Sequence, residues 1–446
     1  MHNTEVADVT ESELDDDAAA AMVDMVARPD IEHVFIEFPD INGISRSKQL
    51  RAEYFLENWE DGFAMNLLVL AQTPRNDVPG NSGLGEEIGY GDGTLRPRPR
   101  TVRQLPWRDD AVRVICDLEK DGIPLGAAPR TALKRVLADT SHNLEFTIGS
   151  ELEFYLLSET DDDYTPVTSH KHECVSWATE EVSDYYDDLA AWSDEYDVSV
   201  TSIMHEHGPG QLEVLFDYGS PLEQADSTFD FKRLVKQTAR QHDLWATFMA
   251  KPFGGKSGSG YHLHVGGFDG EQNLFEADSG LSTVGRHFIG GILEHADALA
   301  ALGTPTLNGF KRYEPGTFAP YTASWGHDNR MTAVRIPSGT TRIENRIPSA
   351  DANPYLVIAG TIAAGLHGVD AELEPTDPVS DDPTGKRPPL PQSPEASLSA
   401  LEADTELVSR LGNDVVRAYT STKRTELKAF RDVVTKWERN QYVQTL

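Results

Sequence analysis

Three short stretches of this chain place ionisable side chains at alternate positions: Glu151-Leu152-Glu153, His262-Leu263-His264 and Arg342-Ile343-Glu344-Asn345-Arg346. In an extended strand successive side chains point to opposite faces, so each stretch would project its charges to one side. The first two sit inside otherwise apolar runs, 146–157 and 261–265. Charged groups project inward from a strand only where something offsets their desolvation. Divalent metal ions or a polyanion could do so here.

Glu151, Glu153, Glu206, Glu213, His262 and Glu344 have the chemistry to hold two divalent ions. Oxygen-rich sets with one imidazole and no thiolate suit Mg2+ or Mn2+ rather than structural zinc. Two of these acids flank a bend, His205-Glu206-His207-Gly208-Pro209-Gly210-Gln211-Leu212-Glu213. A lone glutamate is more often a solvated surface residue, but acids and imidazoles at strand-alternate positions in separate segments are not explained that way. A second group is cationic: Arg312, Arg330, Arg335, Arg342 and Arg346. Arginine stays charged and grips phosphate or carboxylate through a planar fork. Beside two metals, these arginines imply a nucleotide triphosphate and an acidic substrate. Salt bridging to an acidic surface would equally account for Arg330 and Arg335. The run Gly254-Gly255-Lys256-Ser257-Gly258-Ser259-Gly260 lacks phosphate-loop spacing and leads into a strand, so it reads as a turn that lets backbone approach a ligand.

The elements that must position these groups can be read from pattern. A short helix is expected over 15–27, a strand over 33–38, a turn at Asp40-Ile41-Asn42-Gly43 and a returning strand over 44–50. A strand at 111–118 and a helix over 128–139 precede the Glu151/Glu153 strand. Helices are expected over 228–243, 285–302 and 352–369, with Phe229, Leu234, Val235 and Ala239 facing inward in the first. The proline-rich segment 374–394 reads as an exposed loop, and the last fifty residues as charged helices. This predicts an α+β fold in three parts: an acidic extension and helix over 1–28, a small β-rich domain over 29–115, and a mixed catalytic domain over 116–446.

Bulk properties narrow the partners. With 39 Lys and Arg against 73 Asp and Glu, the formal charge is −34, which repels nucleic acid and anionic membrane. Such a field opposes compaction unless salt screens it, and the screening length falls to about 3 Å at molar salt. A salt-adapted cytoplasm is the expected setting. The acidic N-terminus lacks a signal-peptide core, and Cys116 and Cys174 form neither a disulfide framework nor a metal-binding pattern; each is expected to be at least half-buried.

The motifs resemble the glutamine synthetase family, type I-like, and among its members the divergent γ-glutamylpolyamine and glutamate–amine ligases. The residues carrying the resemblance, in the family's order, are Gly149-Ser150-Glu151-Leu152-Glu153-Phe154, Glu206 to Glu213, Lys251-Pro252-Phe253, Gly258 to His264, Asn308 to Arg312, Asn329-Arg330, Arg335-Ile336-Pro337, Arg342 to Arg346 and Ala352 to Leu356. The resemblance implies a β-grasp N-terminal domain, a catalytic half-barrel of curved antiparallel sheet, and homo-oligomeric stacked rings, a dodecamer, with sites between subunits. It implies Glu153, Glu206 and Glu213 on one metal and Glu151, His262 and Glu344 on the other. Arg312 and Arg346 would clamp the carboxylates of glutamate, aided by backbone at Gly258 and by Glu153 and His262. Tyr218, His264, Arg335 and Arg342 would contact the nucleotide. Arg312, Arg330, Arg335 and Glu206 would serve phosphoryl transfer from ATP to the γ-carboxylate, after which an amine attacks the acyl phosphate.

Departures from the family pattern bear on that amine. Members that use ammonia carry an Asp-Gly-Ser-Ser tetrad where this chain reads Phe63-Ala64-Met65-Asn66-Leu67, and a flap glutamate where it has Phe318. An apolar Phe318 beside Met65 or Leu67 would favour a carbon-bearing amine, a putrescine-type polyamine or an amino alcohol. Glutamine synthetase proper, with Glu314 or an acid near Asp61 standing in for the lost groups, is one alternative. A catalytically inactive regulatory paralogue is another. Ser257 stands where an asparagine commonly contacts glutamate, Gly339 where a lysine contacts the nucleotide, and the proline-rich loop has no tyrosine where some bacterial members are adenylylated.

Overall fold

A computed structural model describes residues 16–446 apart from 140, 141, 143, 162, 172, 177–179 and 279. Most of the acidic lead, and Asp162 of the acidic run at 161–163, lie outside the described residues. Two sheets organise the chain. The first contains β1 (His33–Pro39), β2 (Ser45–Arg51), β3 (Phe63–Asn66), β4 (Asp92–Pro97) and β5 (Arg108–Lys120), in the order β2-β1-β5-β4-β3 with β1 and β5 parallel. The β1–β2 hairpin forms at the expected turn: Asp40 Oδ1 accepts from the amides of Asn42 (2.8 Å) and Ile44 (2.9 Å), and Gly43 takes the positive φ of +76° that favours glycine.

The second sheet carries the candidate chemistry. Its strands are β6 (Glu145–Glu159), β7 (Val200–His205), β8 (Gln211–Phe216), β9 (Tyr261–Asp269), β10 (Trp325–His327), β11 (Val334–Ile336) and β12 (Ile343–Asn345). They run β7-β8-β6-β9-β12-β11-β10 in a curled half-barrel, antiparallel except for the parallel β10–β11 pair. Against it lie the helices Pro221–Gln241 and Pro354–Asp370. Asn353 caps the latter through the amides of Tyr355 and Leu356, Pro354 occupies its first turn, and its residues are buried almost throughout. The inward face expected of the former is observed: Phe229, Leu234, Val235 and Ala239 are all buried.

Ion pairs tie the first sheet to the helices that follow it. Asp117 on β5 holds Arg98 (2.7 Å), Arg130 (2.7 Å) and Lys134 (2.7 Å), the last two from the helix Pro129–Leu137. Arg113 pairs with Asp230, Arg233 with Glu37, and the Asn353 amide donates to the Asp40 carbonyl at 3.0 Å.

Several expectations are corrected. The helix expected from 228 begins at Pro221, because a proline in the first turn opens a helix rather than breaking it. The single helix expected over 285–302 is two, Thr283–Glu294 and Ala296–Gly303; His295 between them takes φ −93°, ψ 8° and reaches Asp404. The segment 374–394 is not simply exposed. Val379 and Leu390 are buried, and its backbone bonds to Tyr321, Ala323 and Trp325. Cys116 is buried but Cys174 is exposed. No described helix is long and apolar enough to cross a membrane.

Candidate functional site

Strand register brings the three alternating stretches together. Glu151 on β6 sits opposite His262 on β9, Glu153 opposite Glu213 on β8, and His264 opposite Glu344 on β12. Glu151 is the hub, with one carboxylate oxygen 2.7 Å from His262 Nδ1 and the other 3.2 Å from His264 Nε2. The intervening residues face the other way, as period two requires: Leu152, Leu263 and Ile343 are fully buried, and Asn345 donates to Thr361 on the helix behind the sheet at 2.9 Å.

Ligand atoms of Glu151, Glu213 and His262 all lie within 4.8 Å of one another. Burial first, then the neighbouring negative charges of Glu151, Glu153 and Glu206, push the Glu213 carboxyl up to about 11. Burial and the charge of Glu206 likewise push Glu153 up to about 7, and burial raises Glu206. For Glu151 burial acts against ionisation, but the contacts with His262 and His264 outweigh it and hold the group well below the usual range. Carboxylates crowded at a buried point with too little positive charge form the setting that a hard divalent cation relieves. The donor set of oxygens and one imidazole fits such an ion.

Glu344 lies on the cationic side. It is fully buried, with Arg335 Nη1 3.0 Å from one oxygen and Arg346 Nη1 against the other. Arg335 also reaches Asp328 at 3.1 Å. Arg342 Nε donates to His264 Nδ1 at 3.3 Å, and Arg312 is buried, donating to the carbonyls of Ile347 (3.1 Å) and Arg346 (3.3 Å). The ring of Tyr218, 54% exposed, lies where a Cβ on Gly149 would be, 2.8 Å away, and Gly149 is the register partner of His264. Arg330 is the exception: it is exposed and, among the described residues, makes no salt bridge with the cluster.

A cavity of about 310 Å³ opens beside the cluster, lined by Glu153, Glu206, Gly258, His262, Arg312 and Arg346, with Glu314 and Phe318 at its edge. Phe318 is 62% exposed, and its carbonyl accepts from Arg346 Nη2 at 3.3 Å. Lys251 Nζ lies 3.3 Å from Glu314. Met65 and Leu67 do not join Phe318 within this chain. Both are buried, Met65 on β3 and Leu67 at the start of the 3-10 turn that follows it, while Ala64 and Asn66 are the more accessible residues of that strand. Two positioning residues escaped sequence reasoning. Gln211 donates to Glu153 (2.9 Å) and to the Gly258 carbonyl (3.0 Å), fixing the acid against the glycine turn. Asn308 binds the Lys251 backbone at both its amide and its carbonyl, each 2.8 Å. Both stand inside the quoted motifs, but neither is charged, so charge patterning passed over them.

The profile of the glutamine synthetase catalytic domain matches residues 126–442. A γ-glutamylethanolamide synthetase, GlnA4, of Streptomyces coelicolor is 34% identical over 93% of this chain and 93% of its own length. The chain belongs to the glutamine synthetase family. The glutamine synthetase of Halobacterium salinarum is 32% identical over 98% of this chain and 99% of its own length. A solved GmaS/ADP complex superposes with a TM-score of 0.85 at 30% identity, covering 95% of this chain and 99% of the other. Membership makes this protein an ATP-dependent ligase that works with divalent metals, and the clustered acids and arginines of its half-barrel are the parts of the chain that suit both.

Proposed function

We propose that this glutamine synthetase family member joins the γ-carboxylate of L-glutamate to an amine larger than ammonia, through an acyl phosphate made from ATP. The observation that carries the choice of amine is the edge of the cavity, where exposed Phe318 stands in place of a carboxylate and the nearby acid, Glu314, is already engaged by Lys251. A carboxylate held by a lysine is poorly placed to hold and deprotonate ammonium. An exposed aromatic ring instead offers apolar surface to the carbon chain of an amine. The amino alcohol reading is favoured further by the product named for the Streptomyces coelicolor relative.

In this reading Glu153, Glu206 and Glu213 hold one divalent ion, and Glu151, His262 and Glu344 the other, as Mg2+ or Mn2+; when bound, these ions neutralise charge on the transferring phosphoryl group. Arg312 and Arg346 receive the carboxylates of glutamate, with backbone at Gly258 kept open by the lack of a side chain. A Cβ there would meet Arg312 Cγ at 2.8 Å. Tyr218 would offer its exposed ring to the adenine, and His264, Arg335 and Arg342 would contact the phosphates. Arg330, exposed and distant from the acid cluster's ion pairs, is kept as a phosphate contact that engages only with nucleotide present. We further propose the division into parts 1–28, 29–115 and 116–446, a salt-adapted cytoplasmic setting, and stacked homo-oligomeric rings, as a dodecamer. No residue of 63–67 lines the 310 Å³ cavity within one chain, so a neighbouring subunit's first sheet would close it.

The test is phosphate release with glutamate, ATP and Mn2+ across ammonia, ethanolamine, putrescine and methylamine, with hydroxylamine as a trap for acyl phosphate. Preference for a carbon-bearing amine is expected. Preference for ammonia over every larger amine would return the protein to glutamine synthetase proper. No hydroxamate with any metal would favour an inactive paralogue.

A further inference from the structure

A larger cavity lies elsewhere in the molecule. It has a volume of about 880 Å³ and lies between the β1–β2 hairpin, the helix Pro221–Gln241 and the helix Asn413–Arg431. Its wall is basic, which is unexpected in a chain with 73 acids and 39 bases. Lys232, Lys236 and Arg240 stand at i, i+4 and i+8 on the same helix and so line one stripe of it, and Lys311 and Arg75 also line the cavity.

The acids lining this cavity are already satisfied from within the protein. Glu37 is held by Arg233 and by Ser45 Oγ at 2.9 Å, and Asp77 by Thr73 Oγ1 at 3.1 Å. Asp351 accepts from Thr306 Oγ1 at 2.7 Å and from Ser349, and Glu426 lies 3.4 Å from Lys423. The cations are not. Among the described residues no carboxylate lies within salt-bridge distance of Lys232, Lys236, Arg240, Lys311 or Arg75. Lys232 donates to the Ala352 carbonyl at 2.5 Å. Lys232 and Lys236 both approach the ring of Phe248, at 5.6 and 5.7 Å from its centre, and Arg240 approaches Trp245 at 5.7 Å. Burial holds the Lys232 ammonium down to about 7, with Lys236 adding to the repulsion and Asp351 opposing it. Burial and the charge of Arg240 lower Lys236. Lys232 is half-buried, Lys236, Arg240, Lys311 and Arg75 are exposed, and like charges gathered on the wall of one cavity repel one another unless an anion between them offsets it.

We propose that this cavity is a binding site for a small organic anion carrying two or more negative charges, held by Lys232, Lys236, Arg240 and Lys311. Its apolar lining, which includes Phe229, Met249 and Phe430, covers the ligand's carbon skeleton. The charged part is a phosphate ester or a di- or tricarboxylate. The cavity is separate from the acid cluster, so the site is one for an effector rather than a substrate. Because Lys423 and the hairpin residue Asn42, 2.8 Å apart, both line the cavity, the ligand would bridge the first sheet and the C-terminal helices.

The test is calorimetric titration of the full-length protein in metal-free buffer with citrate and, separately, with inorganic pyrophosphate, comparing the natural chain with Lys232→Met/Lys236→Met. Saturable binding of at least one probe is expected, weakened at least tenfold in the double variant and retained in Glu344→Gln. Binding of citrate alone assigns a carboxylate ligand, and binding of pyrophosphate alone a phosphate. Metal-dependent turnover of the double variant checks that it is folded, since neither lysine belongs to the proposed catalytic cluster. Absence of saturable binding by either probe, or equal binding by the double variant, overturns the proposal.

Discussion

Phe318→Glu is expected to convert part of the enzyme's acceptor preference. The side chain is 62% exposed, so the change disturbs no packed core, and the residue is tied to the site through its backbone carbonyl, which accepts from Arg346 whatever the side chain. The new carboxylate would stand at the edge of the cavity that holds Arg312 and Arg346. A hydrogen bond to a charged group contributes about 1.5–3 kcal/mol. At about 1.4 kcal/mol per tenfold, ammonia should therefore gain about tenfold to a hundredfold in kcat/KM. The apolar surface presented to a carbon-bearing amine is lost in the same step, so kcat/KM for ethanolamine should fall. Phosphate release with each acceptor under matched glutamate, ATP and Mn2+ measures both. Unchanged use of ammonia, with ethanolamine also unchanged, would show that Phe318 does not face the acceptor.

Glu344→Ala should abolish turnover and weaken Mn2+ binding. It also leaves the buried guanidinium of Arg346 and that of Arg335 without their shared carboxylate, a loss on the order of 3–5 kcal/mol that denaturant melts would register. Asp117→Asn should destabilise to a similar degree, because Arg98, Arg130 and Lys134 lose one common partner. The Asp117 carboxyl opposes its own burial through these cations and is held well below its usual value. Its contribution is therefore fully present above the unfolded value near 4 and is lost only as pH falls through the lower folded value, so Asp117→Asn should flatten the acid limb of the stability profile. Removing divalent ions with a chelator should lower the melting temperature of the natural chain. It should do so less in Glu213→Gln, where one of the crowded carboxylates is gone. Raising KCl from 0.1 to 2 M should raise the melting temperature by screening a net charge of −34.

Much of the half-barrel was legible because period two is a strong signal when charge breaks an apolar run. Glu151, Glu153, His262 and Glu344 converge on one face as their alternation requires, and Asn345 turns away to Thr361. The hairpin at Asp40-Ile41-Asn42-Gly43 was legible from turn chemistry alone. Less legible were features set by contacts distant in sequence. The break at His295 depends on Asp404, more than one hundred residues away, and no local propensity announces it. The tethering of the proline-rich segment depends on strand β10 and its neighbours. Arg330 was grouped with the other arginines by proximity in sequence; it is exposed and, among the described residues, makes no ion pair with the acid cluster. The basic cavity was invisible for a related reason: the stripe of Lys232, Lys236 and Arg240 reads as an ordinary solvated helix face until the hairpin and the C-terminal helix are seen to line the same cavity.

Direct competition between acceptors puts the proposed specificity to its plainest trial. The natural enzyme would be given limiting glutamate with ATP, Mn2+ and equal concentrations of ammonium and ethanolamine, and the products resolved by mass spectrometry. The γ-glutamyl derivative of ethanolamine should exceed glutamine. Glutamine as the main product would contradict the reading of Phe318 and Glu314 on which the choice of amine rests.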